Sequence, residues 1–388
     1  MLVTVMYLIY VSLGLPDSLL GSGWPEMQVE FSVPSSCAGY VFMSISFMTI
    51  ISSLFSPVMI RKIHTWWIMV FSILLTVIGI LGFSFSGSFY MLIVFAVPYG
   101  LGAGAIDAAV NHYVANNYSG RIMNFLHCFY GVGAIISPNI MAYALSRATW
   151  HEGYRWTAYI QTGIMVICIL SLPLWKGKRT AEDVRSDDTA SVSETIKVPG
   201  VILTLLAFFA YCSGEATCFV WTSSYFADTR PFLGKETVAS FGSLIFLGLM
   251  AGRIISGIFT NRLGDRMVIR IGIVTEILGI IIIAIPGLHY LAAAAGFVMT
   301  GIGMGPVFPG IQHMAPINFT RKYSAAVIGM QMASAYLGST VMPMVFGHIQ
   351  QAAGIWLMPY YLLLFAVMNL VLLELAYKAI RKDGMLNE

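Results

Sequence analysis

Three carboxylic acids, Asp17, Asp107 and Glu215, stand inside long apolar runs of this chain. On insertion scales a charge at mid-bilayer costs about 2.5 to 3.5 kcal/mol, so three ionised and unpaired acids would cost on the order of 10 kcal/mol. Acids kept at such a depth face a bundle interior or a watery path and mark the route of an ion or a solute. Protonation cancels the charge and most of the penalty, which lets each acid act as a proton carrier. Asp17 and Asp107 are therefore read as cation-coupling residues and Glu215 as a solute ligand. Asp107 lies about ten residues before the inner end of its run, roughly 15 Å deep at 1.5 Å per residue and close to the midplane.

Neutral polar groups accompany the acids. Asn111 follows Asp107 by four residues and shares its helical face, while Asn124, His127 and Gly131 form one face of the next run. Gln312 and Gln331 occupy the corresponding runs of the second half, beside His313. Amides and imidazole both donate and accept hydrogen bonds, as a hydroxyl-rich solute requires. Trp221 and Tyr225 follow Glu215 and offer aromatic planes for the apolar face of a sugar ring. Asn111, Asn124, His127, Glu215, Trp221, Tyr225, Gln312 and Gln331 thus form the candidate solute site. The competing role for the amides is interhelical bonding at about 0.6 kcal/mol each, and for the rings an interfacial belt. Arg253 is the lone base inside a run and reads as a gating or structural partner of an acid; Arg262, Asp265 and Arg266 read as a clamp between helices. Glu276 and Glu374 receive no role. Cys37, Cys128, Cys168, Cys212 and Cys218 lack metal-ligand spacing, so neither a metal site nor a cofactor is expected. The GxG patterns lack a βαβ setting, no Walker loop is present to use ATP, and no HExxH or clustered ligand set points to an enzyme.

The elements that must position these groups are spans. Charged residues make up 10% of the chain and hydrophobic ones 58%, with mean hydropathy +0.80. A soluble surface needs about 25% charged residues. Apolar runs long enough to cross roughly 30 Å of hydrocarbon are predicted at 2–24, 37–60, 66–87, 88–117, 121–149, 154–175, 199–227, 235–260, 267–286, 289–318, 322–351 and 355–380. The run from Leu2 lacks a basic leader and a small-residue cleavage site, so it reads as the first span. Residues 176–198 are polar and carry both charge signs, the pattern of a solvated linker. This divides the chain into a first six-helix bundle at 1–175, a linker at 176–198 and a second bundle at 199–388. Basic residues such as Arg61, Lys62, Arg121, Lys176 and Arg321 crowd one side, which places both termini in the cytoplasm of a cell (inner) membrane. The net charge of +3 says little about partners, because placement matters more than the sum; no nucleic acid is expected as a partner, and a monomer in the bilayer is expected.

The runs repeat. GLGAGAIDAAVNH (100–112) returns as GIGMGPVFPGIQH (301–313), and Gly133 and Pro138 are spaced like Gly338 and Pro343. SPVMIRKIH (56–64) falls opposite SGIFTNRLG (256–264), and Asp17 and Glu215 stand at nearly the same offset, as near-symmetric mates. Several ordered matches at one offset of about 200 imply a duplicated six-helix unit. Two parallel halves with a solute path between them is a plan shared by many secondary transporters.

The two-half plan, the central loop and the turn GIFTNRLGDR (257–266) resemble the major facilitator superfamily across essentially the whole chain. Asp17, GLGAGAIDAAVN (100–111) and SGRIMNFLHCFYGVGAIISP (119–138) are most similar to the fucose–galactose–hexose proton symporters and their relatives, the sodium-dependent glucose transporters. The resemblance implies an all-α membrane fold of twelve helices. It also implies carboxylates of the first and fourth spans at Asp17 and Asp107, and uptake of a monosaccharide-like solute with a coupling proton, sodium being the alternative. A second reading keeps the fold and makes the chain an exporter or antiporter of an amphipathic metabolite or drug, for which 23 methionines leave room.

Overall fold

A computed structural model describes residues 2–62, 65–117, 120–175, 192–319 and 321–382, except for the side chains at 54, 56–58, 60–62, 65, 108, 111, 112, 115–117, 120–124, 127, 192, 261, 321, 322, 324, 325 and 382. The described chain is helical and contains no strand. Its helices in order are α1 (Leu2–Asp17 continuing as Leu19–Glu30), α2 (Cys37–Lys62), α3 (Thr65–Ser84), α4 (Phe89–Asn117), α5 (Gly120–Arg147) and α6 (Trp150–Leu170). There follow α7 (Val201–Thr229), α8 (Lys235–Phe241 continuing as Leu244–Leu263), α9 (Asp265–Ala284), α10 (Tyr290–Met304 continuing as Val307–Asn318), α11 (Arg321–Ala353) and α12 (Met358–Lys382). Among the described residues nine stretches are long and apolar enough to cross a membrane; α2, α6 and α11 are the rest, and α2 keeps an apolar segment at Cys37–Ser53. Most of the predicted linker, 176–191, lies outside the described residues, and Val192–Thr195 forms one helical turn.

Prolines shape the helices that carry the acids. Pro16 in α1 has no N–H to give the carbonyl of Ser12, and a bare carbonyl in lipid is costly. Gln161 of α6 supplies the missing donor, its Nε2 lying 2.5 Å from Ser12 O. Pro138 in α5 frees Ala134 O in the same way, and the Ser18 hydroxyl donates to that carbonyl at 2.7 Å. The two freed carbonyls thus pin the interruption of α1 at Asp17–Ser18 between α5 and α6. α10 is interrupted at Gly305–Pro306 for a related reason.

Glycines set the packing distances, and they do so twice. A Cβ on Gly100 would overlap Ile45 O, and one on Gly301 would overlap Ile245 O. Gly102 is pressed on Ser72 O and Thr76, and Gly303 on Gly272 O and Glu276. Gly133 meets Val11 O as Gly338 meets Phe209 O. The duplication read from the sequence is thereby visible in the packing, since α2–α4 and α3–α4 contacts recur as α8–α10 and α9–α10. Gly264, at the turn between α8 and α9, has φ +76°, a left-handed conformation that costs glycine least.

The chain folds into two compact units. One comprises Met1–Glu182, Val220–Ser243 and Gly347–Ala352; the other comprises Asp183–Phe219, Leu244–Phe346 and Ala353–Glu388. In the first unit polar contacts hold the two inserted stretches to α1 and α2. Ser36 donates to Gln351 at 2.6 Å, Tyr40 and His348 share a hydrogen bond of 2.8 Å, Gln350 bonds Ser35, and Lys235 lies 3.9 Å from Glu26. In the second unit Val198, Val201, Ala315, Phe319, Val327 and Ile380 close one end of the bundle with an apolar cluster.

Candidate functional site

The interruption of α1 delivers Asp17, half-buried, to the flanks of α4 and α5. Tyr130 of α5 donates its hydroxyl to Asp17 Oδ2 at 2.7 Å, and Tyr99 of α4 donates to Oδ1 at 3.3 Å. Asp107 of α4 is also half-buried and accepts from Tyr10 of α1 at 3.3 Å. The two acids stand within Coulombic reach of each other. Each helix therefore sends a tyrosine to the other's acid. Asp17 has no ion-pair partner among the described residues. A guanidinium would hold the carboxylate ionised, whereas a phenol donor steadies it and leaves it able to accept a proton. This arrangement is chemically suited to taking up and releasing H⁺. The side chains of Asn111, Asn124 and His127 lie outside the described residues.

The second unit places Glu215 of α7 beside Tyr211, whose hydroxyl is 2.6 Å from Glu215 Oε1 and 3.1 Å from Met304 O at the break of α10. Arg253 of α8 lies within Coulombic reach of Glu215 and Tyr211. Gln312 is partly buried, with Nε2 2.8 Å from the sulfur of Met332, and Gln331 is fully buried with neither amide atom hydrogen-bonded among the described residues. Trp221 and Tyr225 belong to the first unit. Trp221 is fully buried, and a Cβ on Gly347 would stand 3.0 Å from its ring, so its plane is packed rather than open. Tyr225 is buried edge-on to Phe226.

The surface clamp uses partners other than those expected. Asp265 pairs with His313 of α10 at 3.0 Å, Arg266 donates to Asn318 at 3.2 Å and stacks on Tyr377 of α12, and Arg262 is exposed. Arg262 belongs to the end of α8 and Asp265 and Arg266 to the start of α9, yet the partners of Asp265 and Arg266 come from α10 and α12. Glu374, without a role in the sequence, forms a two-pronged bond with Arg270 at 2.5 and 2.8 Å. Among the described residues no three His, Cys, Asp or Glu side chains converge as metal ligands.

Sequence reasoning missed the tyrosines. Tyr211 precedes Glu215 by one turn and could have been found by its i, i+4 spacing. Tyr10, Tyr99 and Tyr130 reach acids on other helices, and no local spacing reveals that. The first unit also holds a cavity of about 290 Å³ bounded by Ser22, Glu26, Asp228 and Lys235. Neither Asp17 nor Asp107 lines this cavity.

Comparison with known proteins decides the family. The sequence pattern of the Major Facilitator Superfamily matches residues 6–343 and, in a second overlapping match, 231–384. The chain belongs to this superfamily. It is a multi-pass membrane transporter of a solute rather than an enzyme, and several of its relatives are named as transporters. Bypass of stop codon protein 6 of Saccharomyces cerevisiae is 22% identical over 308 residues, covering 70% of this chain and 61% of the yeast protein; the matched region thus spans under two thirds of that relative. The glucose/mannose transporter GlcP of Bacillus subtilis is 21% identical over 306 residues, covering 76% of this chain and 74% of its own. In fold the chain is similar to the nucleoside transporter NupG, with a TM-score of 0.76 at 12% identity, covering 99% of both chains.

Proposed function

We propose that this superfamily member is a secondary active transporter that couples uptake of a monosaccharide or similar polar solute to protons by alternating access. The observation that carries the reading is the pair Asp17 and Asp107, cross-bonded by Tyr130, Tyr99 and Tyr10. Acids bonded by phenols rather than locked to a guanidinium can be protonated without breaking an ion pair, and a proton-coupled carrier needs such acids. The polar character of Glu215, Tyr211 and Gln312 supports a hydrogen-bonding solute. GlcP is named for glucose and mannose and NupG for nucleosides, solutes that share a hydroxyl-bearing ring, which favours the same class here. The fucose–galactose–hexose symporter group and Asn111, Asn124 and His127 as solute ligands belong to this proposal.

Proteoliposome uptake tests it. An inward proton gradient should drive accumulation of a hexose, and Asp107→Asn should abolish accumulation while sparing exchange. Unchanged accumulation in both Asp17→Asn and Asp107→Asn would remove these acids from coupling. A sodium gradient that replaces the proton gradient would redirect the choice of ion.

A further inference from the structure

The duplicated halves keep their second acid in different places. Laying Gly100 on Gly301 sets Phe308 opposite Asp107, and Phe308 packs on Phe208 at 4.8 Å. Laying Ser72 on Gly272, the carbonyls that receive Gly102 and Gly303, sets Glu276 of α9 opposite Thr76 of α3. Thr76 is buried and satisfied, its hydroxyl donating to Ile73 O at 2.8 Å. Glu276 is 2% exposed, and its Oε2 has no hydrogen-bond partner among the described residues. A fold content with threonine at this place in its first half needs no carboxyl there in its second.

We propose that Glu276 is a proton-binding site, the second acid of its unit, standing to Glu215 as Asp107 stands to Asp17. A buried carboxylate with a bare oxygen bears the cost of leaving water without a compensating partner, whereas the neutral acid leaves only an unmade hydrogen bond. The groups around α9 leave the charge uncompensated. From α7, Glu215 and Cys218 are within Coulombic reach, and Cys218 lies one turn beyond Glu215 and within reach of both acids. α8 contributes Arg253, which faces Glu215, and the exposed Arg262. α10 contributes Tyr290 and also His313, held by Asp265; α12 contributes Glu374 on Arg270, Tyr377 under Arg266, Lys378 and Arg381. No cation pairs with Glu276 among the described residues. The exchanging species of this proposal is H⁺, which a single carboxyl suffices to bind. This site stands whether or not Asp17 and Asp107 couple solute.

The test is infrared difference spectroscopy of the purified full-length protein, stepped from acid to alkaline buffer. The wild type should lose the C=O band of one more protonated carboxyl than Glu276→Gln or Glu276→Thr. Spectra that superimpose overturn the proposal. A measurement on the wild type alone guards against a variant that does not fold: carbodiimide modification of Glu276, read by peptide mass spectrometry, should fall as pH rises. Absent or pH-independent modification also overturns it. Asp17→Asn and Asp107→Asn should leave the Glu276 band intact, so failure of solute coupling and failure of this site are separately visible.

Discussion

Asp17 is held by two tyrosines of unequal reach, and that inequality can be measured. Tyr130→Phe deletes one oxygen and keeps the ring, so it removes the 2.7 Å bond to Oδ2 with little change in packing. A hydrogen bond to a charged group contributes about 1.5 to 3 kcal/mol. At 1.36 kcal/mol per pH unit, its loss moves the midpoint of any Asp17-dependent step by about one to two units. The sign follows from the direction of donation: the phenol stabilises the carboxylate, so without it the neutral acid gains and the proton is kept to higher pH. Proton-dependent solute binding should then persist to higher pH. Tyr99→Phe removes a 3.3 Å contact of poorer geometry and should move the midpoint the same way by under about one unit. Solute exchange in proteoliposomes with equal pH on both sides reads this midpoint, and Asp17→Asn marks the limit with no such titration. A midpoint that stays or moves down in Tyr130→Phe, or a larger shift in Tyr99→Phe, refutes the reasoning.

Three further outcomes test the scaffold. Gln161→Leu should lower stability by about 1 to 3 kcal/mol by stranding Ser12 O, and Pro16→Ala in the same chain should restore most of it by returning a helix N–H; additive losses in a double-mutant cycle would contradict this pairing. Gly301→Ala should cost about 1 to 3 kcal/mol or more, because the new Cβ meets the backbone of α8 rather than a yielding side chain, and an unchanged melting temperature would count against the close α8–α10 approach. Ser36→Cys with Gly347→Cys should form a disulfide, since a Cβ at 347 would stand 3.2 Å from Ser36 Cα; solute flux should stop on oxidation and return with reductant, and full flux in the cross-linked protein would show that this contact need not open.

The fold was legible because lipid imposes few options. Apolar runs of the right length, polar breaks and the recurrence of GLGAG and GIGMG were enough to place twelve helices in two halves. Boundaries were less so: α6 begins at Trp150, ahead of the expected start, because its first turn is anchored by Trp150 donating to Glu30, a contact that no local pattern announces. The runs 2–24 and 289–318 are read as continuous, so the interruptions of α1 and α10 at Pro16 and Gly305–Pro306 escape that reading, as do the side chains that cover the freed carbonyls, since Gln161 and Ser18 come from distant parts of the chain. The same limit applies at the acids. Asp17, Asp107 and Glu215 were found because a charge in lipid is conspicuous by type alone. Their tyrosines were hidden among 19 in a chain rich in aromatic residues. Trp221, chosen as a ring for stacking, turned out to be walled in by Gly347, because a sequence shows that a ring is present and not which neighbours cover it.

The two halves repeat one packing pattern, yet their acids meet different neighbours. In the first unit, tyrosines steady Asp17 and Asp107. In the second, Arg253 offsets Glu215, and the uncompensated acid is Glu276. A cation near a carboxylate works against the effect of burial, so Glu215, with Arg253 in reach, is better suited than Glu276 to offering an acceptor to a solute hydroxyl. Replacing Arg253 separates these roles. Two unit charges in contact at an effective dielectric of 20 attract by about 4 kcal/mol, and Arg253 and Glu215 do not touch as an ion pair, so Arg253→Leu should cost less than that. It should also make solute exchange newly dependent on pH in the range where Glu215 begins to take up protons, and adding Glu215→Gln should erase the new dependence while leaving the one set by Asp17. If Arg253→Leu leaves the pH profile of exchange as it was, Glu215 does not owe its charge to Arg253, and the division of labour between the halves must be sought elsewhere.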